Sequence, residues 1–105
     1  MIMKQIERII LMESHLDEAK AVLKAYSESL RAYREIQPKL RELAEYYASE
    51  DWRRDFEDDE AGKLPHDLKR GVLSEDSIYN ILSDNTELQA ATLETIAEIL
   101  REGSF

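Results

Sequence analysis

The sequence predicts an all-α fold: a long N-terminal helix kinked or broken near Pro38, a short middle helix, and a C-terminal helix packing back antiparallel as a helical hairpin or bundle. Three observations predict it. Apolar residues recur at alternating spacings of three and four from Ile2 to Tyr47, the period of a helix with a narrow seam. The chain has only three Gly and two Pro, where a strand-and-turn fold needs many more. Ser49 and Ser74 are each followed by two acids, the composition of a helix start. A length of 105 residues suits a single domain, 1–105.

The first helix is expected over residues 2–36. One seam row reads Ile2, Ile9, Leu16, Leu23, Leu30; the other reads Met12, Ala19, Tyr26, Tyr33, Leu40, Tyr47. Pro38 has no N–H to donate and disfavours helix at Gln37, so it either ends this helix or kinks a longer one. The rows stay in phase through Leu40 and Tyr47, which favours a kink or a tight break over a long loop. At ~1.5 Å per residue an unbroken helix over 2–48 spans ~70 Å, too long for a compact monomer of this size. Either the chain bends near Pro38 or a second chain covers the seam.

Ser49 is the expected N-cap of the middle helix, with Glu50 and Asp51 in its first turn and Gly62 as its stop. Residues 63–66 read as a connector and 67–71 as a single turn closed by Gly71. Ser74 is the next expected N-cap, with Leu73 and Ile78 placed for a hydrophobic staple. Asp84 and Glu87 offer a second capping box, so the last region is two helices, 75–83 and 85–102, or one. The row Ile78, Ile81, Leu88, Thr92, Thr95, Ile99 stays in phase and favours a nearly continuous helix.

Composition narrows function chiefly by exclusion. There is no cysteine, which excludes disulfides, thiolate nucleophiles and zinc–thiolate clusters. No run approaches the ~20 apolar residues of a membrane span, and the charged N-terminus is unlike a signal peptide, so a cytoplasmic protein without a membrane partner is expected. Residues 1–49 balance 8 basic against 8 acidic side chains, and the net charge of −9 lies wholly in the second half. Direct nucleic-acid binding is therefore not expected, because phosphate contacts need Lys and Arg. The tyrosine stripe reads as a helix–helix interface.

The chemistry-bearing residues are few. Seven acids crowd residues 50–60, without the order of a calcium-binding loop. Asp55 and Asp59 lie one turn apart and offer at most a weak shared cation site; a solvated acidic helix face is the plainer reading. No nucleophile elbow, phosphate loop or dinucleotide fingerprint occurs, and His15 and His66 lie far apart. No catalytic residue, cofactor or metal ligand is assigned. Trp52, Phe56 and Tyr79 stand off the long seams, as a satellite core or as a patch that binds a partner, with Lys69 and Arg70 beside them.

The middle block carries a resemblance. Gln37-Pro38-Lys39-Leu40, Trp52, Asp55-Phe56, Lys63-Leu64-Pro65, the run Asp67-Leu68-Lys69-Arg70-Gly71-Val72-Leu73-Ser74-Glu75-Asp76, and Tyr79 resemble a family of short bacterial proteins catalogued as domain of unknown function number 4298. The resemblance implies a bacterial single-domain protein and brings no activity, cofactor or site residue. The expected function is thus a non-enzymatic protein–protein interaction module or regulator, with a protein partner, a homodimer, or both. One alternative is an acidic nucleic-acid mimic that inhibits a basic target; a weaker one is a carboxylate metal-binding protein.

Overall fold

The computed structural model describes residues 2–103. Helix α1 spans Ile2–Tyr47, α2 Glu50–Glu60 and α3 Ser77–Arg101, with a single 3₁₀ turn at Gly71–Leu73; among the described residues there is no strand. The fold is the helical one that the periodicity predicts. The chain divides after Pro38 into two compact units, the second beginning at Lys39.

The first unit is the N-terminal part of α1, where the three-four repeat yields an unbroken helix with no buried residue. Of the two outcomes expected at Pro38, a stop or a continuation through the ring, the second holds, and the helix continues through it. Proline costs the turn one donor, since the Arg34 carbonyl loses its partner at position 38. Beside that gap the Gln37 side-chain amide donates to the Tyr33 carbonyl at 3.0 Å. The real break comes ten residues later, at Ala48-Ser49.

In the second unit, local rules are followed closely. Ser49 caps α2: its backbone is extended (φ −93°, ψ 161°) and its Oγ accepts the Trp52 N–H at 3.2 Å. At the other end Gly62 takes φ +71°, with Gly62 N–H donating to the Asp59 carbonyl (3.0 Å) and Lys63 N–H to the Asp58 carbonyl (2.9 Å). That pair of bonds is a Schellman closure, which needs a left-handed residue and so favours glycine. Pro65 then turns the chain, its carbonyl accepting the Leu68 N–H at 3.2 Å.

Two boundaries differ from expectation. Gly71 opens the 3₁₀ turn instead of closing a helical one. Regular helix in α3 begins at Ser77, not directly after Ser74, although Ser74 Oγ does accept the Ser77 N–H at 3.2 Å. Residues 75–76 form a turn between the two. No second start occurs at Asp84, so α3 is one helix. Among the described residues the staple pair Leu73 and Ile78 are the buried apolar side chains, at 6% and 2% exposure, and the first turns of α3 pack on the 3₁₀ turn. Most other large apolar residues of α1 and α3 are exposed.

Candidate functional site

Helix α2 organises the second unit through one face. Trp52, Asp55, Phe56 and Asp59 lie at spacings of three, one and three, which brings all four to the same side of the helix. All four are half-buried, whereas Glu50, Asp51, Glu57 and Glu60 are exposed. The face is thus built from two aromatics and two acids, and each has a partner.

The Phe56 ring stacks on Trp52 (centroids 5.2 Å apart, planes 19°), and Tyr47 meets Trp52 edge-on at 5.0 Å. The indole N–H donates to the Val72 carbonyl at 2.9 Å, fastening α2 to the 3₁₀ turn. Tyr47 Oη donates to the Glu75 carbonyl at 3.1 Å, which ties the end of α1 to the turn before α3. The aromatic cluster is therefore Tyr47, Trp52 and Phe56. Tyr79, expected in it, is 61% exposed on α3.

The two acids act separately. Tyr46 Oη donates to Asp55 Oδ2 at 2.6 Å. Burial, then that hydrogen bond and the neighbouring carboxylates Asp55 and Asp51, push the Tyr46 phenol up from 10.0 to about 12. Arg70 and Asp59 form an ion pair at 3.1 Å with both side chains less than a third exposed. The looser pairs Arg53–Glu50, Arg54–Asp51 and Lys63–Asp58, at 3.7–3.9 Å, decorate the surface. The acidic helix is thus not a wholly solvated face, since it turns Asp55 and Asp59 toward α1 and the 3₁₀ turn. Among the described residues no three His, Asp or Glu side chains come together as a metal site would require.

Two open cavities flank the 3₁₀ turn. One, of about 260 Å³, has Tyr46, Asp55, Leu64 and Leu68 among its walls; the other, of about 370 Å³, has Leu43, Ile78 and Ile81. Lys69 and Val72 border both. Of the five side chains singled out from sequence, the structure joins Trp52 and Phe56 in one stack and engages Arg70 with Asp59. It leaves Lys69 and Tyr79 exposed. Sequence reasoning missed Tyr46 and Tyr47 as fastening groups. The signal was present in the adjacent pair at the end of a seam, one residue before a cap.

Such a constellation can hold apolar and amphipathic side chains. No helix among the described residues is long and apolar enough to cross a membrane. No curated protein and no solved structure matches the chain. The residues that build the site, from Tyr46 to Tyr79, all fall within 9–95, which match a protein family by their sequence pattern. The chain accordingly belongs to the domain of unknown function family DUF4298.

Proposed function

We propose that this chain is a non-enzymatic protein–protein interaction module, an adaptor or small regulator that works through its helical faces. The observation that supports it is the exposure of the α1 seam: Ile9 52%, Leu16 47%, Leu23 67% and Leu30 52%. Isolated helices are marginal in water, and a helix normally owes its stability to packing an apolar face. A contiguous exposed apolar stripe of this kind marks a surface that another protein covers. Within the second unit, Lys69, which borders both cavities, and the exposed Tyr79 are separate candidate contacts.

The acidic-mimic reading is less well supported, because Asp55 and Asp59 are used inside the fold and Glu50 and Asp51 are paired along α2. The metal reading would rest on the same Asp55 and Asp59, each already engaged. The test is an affinity capture from nuclease-treated lysate with two baits, the native chain and a Leu16→Asp/Leu23→Asp variant. Elution with salt and then detergent separates charged from apolar contacts. A stoichiometric protein held by the native bait until detergent, and lost by the variant, is expected. Equal capture by both baits, or release by salt alone, would sink the apolar-face reading.

A further inference from the structure

Resting on the interaction reading, we infer that the occupant of the α1 seam is a second copy of this chain, running antiparallel, with Glu13 of each copy paired to Lys20 of the other. The argument starts from the seam. Ile9, Leu16, Leu23 and Met12 form its centre and all are about half exposed or more. In an antiparallel pair related by a two-fold axis, residue i of one copy meets residue j of the other and the reverse. The seam rows then permit only registers one heptad apart.

Charge separates those registers. When Leu16 faces Ala19 of the second copy, Leu23 faces Met12 and Ile9 faces Tyr26, so each layer of the seam pairs apolar or aromatic side chains. The flanking positions beside the seam then set Glu13 against Lys20, twice. A shift of one heptad in one direction sets Glu13 against Glu13; in the other it sets Lys20 against Lys20. Both alternatives place like charges at the centre, where they weigh against assembly. Among the described residues neither Glu13 nor Lys20 takes part in an ion pair within its own chain.

Orientation follows from the charge distribution. Residues 1–49 are neutral, and the net charge of −9 lies in the residues after them. A parallel pair would bring two such acidic segments to the same end. In an antiparallel pair these segments follow on from opposite ends of the shared stretch of α1, so their chains start apart instead of together.

The experiment is light scattering on the full chain at tens of micromolar and low salt, with charge reversals at exposed positions that leave the fold intact. The native chain is expected at the mass of two 12.2 kDa chains. Glu13→Lys and Lys20→Glu should each weaken the dimer about tenfold, since two attractions become two repulsions. The double variant should restore it. A cysteine-free chain allows a second readout, in which Glu13→Cys and Lys20→Cys chains form a disulfide when mixed and neither forms one alone. Within one chain these positions are about 10 Å apart, too far to bridge.

A monomeric native chain would overturn self-pairing, and salt-resistant, detergent-released capture of another protein by that monomer would leave the interaction reading standing. A dimer indifferent to both reversals would overturn the register. A dimer that yields no mixed disulfide would overturn the antiparallel arrangement.

Discussion

Tyr46 shows how a single side chain converts an acidic helix into a structural part. Its phenol donates to Asp55 at 2.6 Å, and its pKa is pushed up to about 12. Because the folded state holds this proton more tightly than the unfolded chain, the stabilisation is fully present below pH 10. It is lost as pH rises from 10 through about 12. Tyr46→Phe is expected to cost about 1 kcal/mol at neutral pH, measured by urea unfolding. The same variant should remove a late phenol step near pH 12 from the ultraviolet titration. Loss of a step near the ordinary 10 instead would mean that burial and Asp55 do not hold this proton. At Ile78, only 2% exposed, truncation to alanine leaves a cavity beside Leu73. A loss of about 3 kcal/mol is expected there, and near-native urea stability would contradict its place in the core.

At the scale of elements, the boundaries record which local rule outweighed which. The α2 caps were legible because the Ser49 hydroxyl and the Gly62 backbone act on residues within a few positions of each, with no distant partner needed. Pro38 was half legible: the in-phase seam argued for continuity, and the ring argued for a stop. Continuity won, with one backbone donor lost and Gln37 bonding next to the gap. Restoring that donor with Pro38→Ala should stabilise α1 by about 1–3 kcal/mol, seen as slower amide exchange around residues 34–38. Faster exchange there would indicate that proline itself holds the turn. The inward acids of α2 were not legible, because spacing marks Asp55 and Asp59 as sharing a face without saying which way that face points. Only Tyr46 and Arg70, 9 and 11 residues distant in sequence, decide it. For Tyr79 the two readings, satellite core or partner-binding patch, stood open in the sequence, and its 61% exposure leaves it outside the aromatic cluster.

For the molecule as a whole, burial is concentrated around the 3₁₀ turn, while the apolar rows of α1 stay exposed as far as Leu30. The long seam was legible in full from its period, and so was the likeness that places the chain in its family. What covers the seam was not, since periodicity records that a helix has an apolar side and nothing about its neighbour. The side-chain ties of the second unit also have a kinetic consequence. Tyr46–Asp55, Trp52–Val72 and Tyr47–Glu75 close loops of 9, 20 and 28 residues, the second nested inside the third. Loop closure cost rises only logarithmically with length, and a ten-residue loop closes in ~10–100 ns. Each inner closure shortens the search for the next, so this unit should form from the middle outward. Temperature-jump relaxation followed by the fluorescence of Trp52 is then expected between microseconds and milliseconds, the range of chains dominated by local contacts. A relaxation in seconds would mean that some slower event, outside these three loops, governs assembly. The fastening of Trp52 to Val72 thus makes the one tryptophan of the chain a clock for its own closure.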